Sequence, residues 1–78
     1  MLTQAIKQAR ILAQEYCEAM DPGEFGVVDT PDGAEVYQEA DTRWGEGTLT
    51  CSYVAQDDDL IMFTDHNTGE TEVFAVPK

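Results

Sequence analysis

The sequence has few basic residues, few cysteines, one histidine and no long hydrophobic run. Only four Lys and Arg residues accompany sixteen Asp and Glu residues, so the formal net charge is −12. Counterion release from nucleic-acid phosphates needs Lys and Arg, so this composition excludes direct nucleic-acid binding as the main role. No apolar run approaches the roughly 18 residues of a membrane span, and MLTQAIKQAR lacks the apolar segment of a secretory signal. We therefore expect a cytoplasmic protein that does not bind membranes.

The two cysteines, Cys17 and Cys51, are too few for a disulfide framework. We expect two buried, reduced thiols, and a single bridge stays open because both side chains face the predicted core. With His66 as the only histidine, a structural zinc site lacks its usual ligand pairs. The sequence therefore predicts no metal and no cofactor.

The length of 78 residues and a hydrophobic content of 42% predict a single domain, residues 1–78, with a core of its own. A chain of this size buries only about 60% of its unfolded surface, so we expect a stability on the order of 5 kcal/mol. Repulsion among the acids lowers that stability further at low salt.

Residues 2–20 show the i, i+3, i+4, i+7 pattern of an amphipathic helix with one buried face. The apolar positions are Leu2, Ala5, Ile6, Ala9, Leu12, Ala13, Tyr16, Cys17 and Met20. The segment Asp21-Pro22-Gly23 ends the helix, because proline disfavours the helical conformation in the residue before it.

The remaining chain reads as strands joined by short turns. The predicted strands are 25–29, 34–40, 48–55, 60–64 and 71–76, with turns at 30–33, 56–59 and 65–70 and a longer connection at 41–47. Short connections favour antiparallel neighbours. We predict an α+β fold in which one N-terminal helix packs on a four- or five-stranded antiparallel β-meander within residues 24–77.

In the third strand the alternation places Leu49, Cys51, Tyr53 and Ala55 on one face. Residues 60–64 are apolar on both faces, which is typical of a central strand. In the turn at 30–33 we expect proline to fix φ and Gly33 to adopt a positive φ.

The charge imbalance belongs entirely to the predicted sheet. Residues 1–20 contain two acids and two bases, whereas residues 21–78 contain fourteen acids and two bases and carry the whole −12. We expect these acids on the sheet face away from the helix, at the edges and in the loops. Three explanations stay open: solubility, adaptation to high salt, and a carboxylate surface that binds a basic groove. Adaptation to salt would also acidify the helix, which instead exposes Gln and basic residues.

No motif indicates catalysis. His66 has no Ser or Cys partner at a recognisable spacing, so a nucleophilic triad is not supported and we expect no enzymatic activity. Residues 65–70 superficially resemble a calcium loop, but Gly69 lies one place early for that pattern and a hairpin turn fits better. The run Asp57-Asp58-Asp59 is more typical of a solvated loop than of a cation site.

Two aromatic residues lie among the acids. Tyr37 lies between Glu35 and Glu39 on one strand face, where an aromatic ring between carboxylates imitates a base between phosphates. Trp44, in the longest connection, either covers an open edge of the core or serves as an exposed aromatic anchor.

The candidate partner-binding residues are the acids of the predicted sheet together with these two aromatic residues. They are Glu35, Tyr37, Glu39, Asp41, Trp44, Glu46, Asp57, Asp58, Asp59, Asp65, Glu70 and Glu72.

The chain resembles small, very acidic phage-encoded inhibitors of host DNA-handling enzymes, a class that includes anti-CRISPR proteins and uracil-DNA glycosylase inhibitors. The likeness is one of size, charge and helix-plus-sheet layout. Residues 53–65 are also similar to the acidic hairpin and following apolar strand of the phage glycosylase inhibitor. That inhibitor's acidic first strand and second helix have no counterpart, so no residue role is carried over. The resemblance implies a non-enzymatic DNA mimic acting in the host cytoplasm.

We therefore expect a protein inhibitor, monomeric or homodimeric, whose partner is an enzyme or CRISPR effector with a basic nucleic-acid-binding groove. Two alternatives stay open: an immunity protein or antitoxin against a basic toxin, and a small structural protein of a salt-adapted organism.

Overall fold

The computed structural model describes residues 3–20, 24–38 and 48–76, which form one helix and five strands. The elements are α1 (Thr3–Met20), β1 (Phe25–Thr30), β2 (Gly33–Gln38), β3 (Thr48–Asp57), β4 (Leu60–Asp65) and β5 (Thr71–Ala75). The predicted α+β fold is confirmed, and the sheet has five strands. The predicted helix stop at 21–23, the strand end at 39–40 and the connection at 41–47 lie outside the described residues.

The sheet is a simple antiparallel meander with the order β1-β2-β3-β4-β5, as predicted from the short connections. Helix α1 lies over β1, β2 and β3 and reaches β4 at its margin, so β5 forms an edge beyond the helix. Strand β4 is internal to the sheet, but α1 covers only one of its two faces. The apolar character of residues 60–64 therefore reflects its inner position rather than cover on both sides.

Strand β3 contains two register shifts, which the sequence did not predict. Val36 pairs with Cys51, but Tyr37 pairs with Leu49, so Thr50 is an extra residue in β3. The resulting bulge places Leu49 on the side of Tyr37, and the prediction that Leu49 shares a face with Cys51 and Tyr53 is wrong. A second shift lies between Ala55 and Asp57, next to the turn into β4.

The core lies between α1 and one face of the sheet. The helix contributes three fully buried alanines, Ala5, Ala9 and Ala13, which let its backbone approach the strands closely. Ile61 and Val36 are the largest fully buried side chains of the sheet. The predicted buried stripe fails at its C-terminal end, because Met20 is 57% exposed there.

Arg10 joins the helix to the β1–β2 turn. Its Nε donates a hydrogen bond to the carbonyl oxygen of Gly33 at 3.1 Å, and a terminal nitrogen donates to that of Thr30 at 2.6 Å. The carboxylate of Asp29 lies 3.8 Å from the same Nε. A helix residue to which the sequence pattern assigned no structural role therefore fixes the position of the first hairpin.

Gly33 is required for close approach rather than for an unusual backbone conformation. Its φ is not positive, which corrects the prediction; the positive φ of +79° belongs to Gly69 in the β4–β5 turn. A Cβ atom on Gly33 would overlap the carbonyl oxygen of Tyr53 and lie 3.0 Å from its carbonyl carbon. No side-chain rotation relieves an overlap between a Cβ and a backbone atom, so only glycine fits here.

Candidate protein-binding surface

The sheet face opposite α1, here called the open face, carries an apolar row that runs across three strands. Cross-strand pairing aligns Val54 with Met62 and Met62 with Val73, and these side chains lie on the side away from the helix. Val73 is 54% exposed, and Val28 on the opposite edge strand is 51% exposed. Among the described residues, no element covers this face, and exposed apolar side chains on such a face are typical of a surface that contacts another molecule.

A second row on the open face is polar. The register aligns Val28, Glu35, Ser52, Thr64 and Thr71, one residue from each strand. Glu35 is half-buried in this row, and it is the described acid that lies within the open face rather than at its margin. A carboxylate at this place has apolar neighbours on one side and hydroxyl groups on the other.

Tyr37 is bound to Glu35 on this face. Its hydroxyl group donates a hydrogen bond to Glu35 Oε1 at 3.1 Å, so the side chain leans along β2 toward the carboxylate. This hydrogen bond, together with burial and the nearby negative charge, raises the pKa of Tyr37. The register places Gly26 of β1 opposite Tyr37, so no side chain from that position lies against the ring.

Ser52 and His66 form a contact that the sequence did not reveal. Ser52 Oγ and His66 Nε2 are 3.1 Å apart, although the residues lie on β3 and just after β4. The distance is within the reach of a nucleophile and a base. However, Ser52 is only 7% exposed. Among residues 3–20, 24–38 and 48–76, the His66 ring forms a hydrogen bond with Ser52 and with no other residue. A partner on the other ring nitrogen, which would orient the imidazole as a base, is not part of this arrangement.

Five exposed carboxylates collect at one end of the sheet, here called the acidic end. It comprises Asp29, Asp32, Asp57, Asp58 and Asp59. The backbone hydrogen bond from Ala55 N to Asp32 O, 2.8 Å long, holds the β1–β2 turn against the end of β3 and so brings the two acidic turns together. Two of these acids also shape the turns: Asp57 Oδ1 accepts from Asp58 N at 2.8 Å, and Asp32 Oδ1 accepts from Thr30 Oγ1 at 3.1 Å.

The opposite end contains the β4–β5 turn, and the predicted hairpin there is confirmed. Asp65 Oδ1 accepts hydrogen bonds from Asn67 N at 2.9 Å and Thr68 N at 3.4 Å, as in an Asx turn. Gly69 N donates to Asp65 O at 2.7 Å, and its positive φ closes the turn. Glu70 is exposed beside this turn.

The structure divides the predicted partner-binding residues among several places. Glu35 and Tyr37 lie together on the open face, Asp57, Asp58 and Asp59 lie at the acidic end, and Asp65 and Glu70 lie at the opposite end. Glu72 is exposed on edge strand β5, where it pairs with Phe63 on the helix side of the sheet. The predicted residues Glu39, Asp41, Trp44 and Glu46 lie outside the described residues.

The two cysteines belong to the core rather than to this surface. Cys17 and Cys51 are both free and buried, and both contribute to one cluster with Ala13, Ala34 and Val36. Burial, followed by the charges of Cys17 and Asp65, raises the pKa of the Cys51 thiol to about 12. At neutral pH both groups are thiols, which are weak nucleophiles and weak metal ligands.

Within the described ranges, no three His, Cys, Asp or Glu side chains are grouped so that they could hold a metal ion. The three consecutive aspartates of the β3–β4 turn form no such group. In the same part of the chain, no helix has the length and apolar character needed to cross a membrane.

A scan against protein-family models, a search of curated proteins and a search of solved structures each returned no match. The residues of the open face and of the acidic end are therefore the basis for assigning a function.

Proposed function

We propose that this chain is a non-enzymatic inhibitor that binds a Lys- and Arg-lined nucleic-acid-binding surface of an enzyme, such as a DNA-repair enzyme or a CRISPR effector. The open face and the acidic end together form the contact surface. The observation that carries the proposal is that the exposed carboxylates of the acidic end lie at the end of a sheet face whose apolar row no described element covers.

Charge supplies the first part of the argument. At the acidic end, Arg10 Nε lies 3.8 Å from the Asp29 carboxylate, at the helix side. The aspartates of the β3–β4 turn are exposed to solvent. Such a concentration of negative potential attracts a basic protein from a distance and raises the association rate at low salt.

The apolar row supplies the second part. Protein interfaces combine a desolvated centre with a polar rim, and charge alone gives orientation and rate more than affinity. Val54, Met62 and Val73 form such a centre, and Leu60, paired with Asp57, connects it to the acidic end. A partner that fits this surface has an apolar patch bordered by basic residues.

A nucleic-acid-binding groove has these properties, because it presents Lys and Arg to phosphates and apolar or aromatic groups to bases. Occupation of the groove blocks the nucleic acid without any chemistry by the inhibitor. The resemblance in size and charge to phage-encoded inhibitors of DNA-handling enzymes supports the same partner class.

The test compares two double charge reversals that change the net charge by the same amount. Asp58→Lys/Asp59→Lys alters the acidic end and leaves the turn-forming side chain of Asp57 in place. Glu15→Lys/Glu18→Lys alters two exposed acids on α1. Each tagged variant and the unaltered chain are used to capture proteins from a lysate of the source host, and affinity for the captured enzyme is then measured with purified components.

We expect the unaltered chain and the helix variant to retain a basic nucleic-acid-binding enzyme and to inhibit it. The variant of the acidic end should lose about hundredfold in affinity at moderate salt, because two attractive contacts become repulsive. Equal losses in the two variants would contradict the proposed surface. Specific capture of a basic toxin with no nucleic-acid groove would contradict the proposed partner class.

A further inference from the structure

We infer that Glu35 and Tyr37 form a docking site for one arginine side chain of the partner. This inference deepens the proposed function and rests on it for the identity of the partner. The site consists of the Glu35 carboxylate and the Tyr37 ring, with Gly26 opposite the ring on β1. It differs from the acidic end in offering one pre-oriented carboxylate beside an aromatic ring.

The carboxylate is held in place before a partner arrives. The hydrogen bond from the Tyr37 hydroxyl group to Glu35 Oε1, 3.1 Å long, restricts both side chains. A carboxylate has about four lone-pair sites, so one hydrogen bond leaves acceptor capacity for a guanidinium group. Restriction before binding lowers the entropy lost when the contact forms.

The surroundings favour arginine over lysine. A planar guanidinium stacks on an aromatic ring while it donates to a carboxylate, whereas an ammonium group acts as a hydrated point charge. Tyr37 provides the ring, and Gly26, opposite it on the neighbouring edge strand, has no side chain that would compete for the ring. Val28, 51% exposed on the same edge, provides an apolar contact for the aliphatic part of the arginine.

The basic groups near this site are few. Arg10 lies on the helix side of the sheet, where it binds the β1–β2 turn. His66 lies next to Ser52, which pairs with Glu35. Among the described residues, no lysine or arginine therefore occupies the open face, and the Glu35 carboxylate is available to a cation from outside.

The test uses hexa-arginine and hexa-lysine peptides as probes of equal charge. The isotope-labelled full chain is titrated with each peptide at physiological salt and followed by NMR. We expect hexa-arginine to bind about fivefold more tightly than hexa-lysine. Its largest shift changes should fall at Gly26, Glu35 and Tyr37.

Two variants that each remove one negative charge show where on the chain the preference for hexa-arginine originates. Glu35→Gln should abolish the difference between the peptides, whereas Glu72→Gln, which removes a charge from edge strand β5, should retain it. Tyr37→Leu should reduce the preference, and Tyr37→Phe should retain part of it through the ring. Equal binding of the peptides by the unaltered chain, or an unchanged preference in Glu35→Gln, would overturn the inference.

The peptide experiment tests the arginine site, whereas the capture experiment tests the proposed function, so one proposal can be contradicted without the other. A chain that prefers hexa-arginine at Glu35 but captures no nucleic-acid enzyme contradicts the proposed function and leaves the arginine site intact. A chain whose inhibition depends on Asp58 and Asp59 but which shows no arginine preference contradicts the inference and leaves the proposed function intact.

Discussion

Replacement of Gly33 by alanine tests the packing of the first hairpin against β3. A glycine-to-alanine change at a position with ordinary φ normally stabilises a protein by about 0.4–1 kcal/mol, because it restricts the unfolded chain. At Gly33 we expect the opposite sign. The added Cβ overlaps the carbonyl oxygen of Tyr53, and both atoms are fixed to the backbone.

The magnitude follows from what must move. Relief of the overlap separates the start of β2 from β3, which weakens the pairing of Gly33 with Val54 and the hydrogen bond from Arg10 to Gly33 O. One neutral and one charge-assisted hydrogen bond together contribute about 3 kcal/mol. Against a total of about 5 kcal/mol, this loss leaves roughly 3% of the chains unfolded at 25 °C. The thermal midpoint should fall by about 12–24 °C.

Urea and thermal unfolding of Gly33→Ala, followed by circular dichroism, provide the measurement, with Gly69→Ala as the matched control. Gly69 has a positive φ and open space around its Cα, so alanine there should cost only about 1 kcal/mol of backbone strain. A Gly33→Ala protein as stable as the unaltered chain, or more stable, would refute the close approach between Gly33 and Tyr53.

Two further predictions concern the helix and the core. Arg10→Met should lower the free energy of unfolding by about 1–3 kcal/mol in urea titrations, because it removes both hydrogen bonds to the β1–β2 turn; the exposed Lys7→Met should change it little, and equal effects would contradict the role of Arg10. The stability of the unaltered chain should decline as pH rises from about 9 toward 12, because the Cys51 pKa is raised on folding and the unfolded chain loses that proton first. Cys51→Ala should make this alkaline decline shallower, and an unchanged slope would show that Cys51 does not cause it.

The elements of the fold were predictable from local patterns. The helical spacing of Ala5, Ala9 and Ala13 identified the buried face of α1, and the alternation of Cys51, Tyr53 and Ala55 identified the helix side of β3. Turn residues such as Asn67 and Gly69 marked the hairpins. These signals are local, and short connections then leave a meander as the simplest topology.

The details of the surface depend on register, which local patterns do not fix. The bulge at Thr50 reverses the facing of Leu49, and the sequence has no glycine or other marker there. The contact between Ser52 and His66 likewise follows from the pairing of β3 with β4. Counting strand pairs outward from the β3–β4 turn would place Ser52 and His66 near each other. The register shift between Ala55 and Asp57 changes which residues of β3 and β4 are paired, so this count does not give the actual register.

The role of Arg10 was also hidden, because a basic residue at the margin of a helix stripe usually points into solvent. Its partners are backbone carbonyl oxygens of Thr30 and Gly33, which carry no side-chain signal in the sequence. The charge distribution was more informative, since the described sheet acids lie mainly in turns, at strand ends and on an edge, as expected for exposed carboxylates. Their concentration at one end becomes visible only when the two acidic turns are brought together.

Competition with duplex DNA shows whether the chain occupies the nucleic-acid groove of its partner. The tagged chain is loaded with the nucleic-acid-binding enzyme that it captures, and short duplex DNA is added at constant ionic strength while released enzyme is measured. If the chain occupies the nucleic-acid groove, DNA should displace the enzyme in proportion to the DNA's own affinity for it, and an uncharged polymer should not. An enzyme that stays bound to the chain while it also binds DNA would contradict the account.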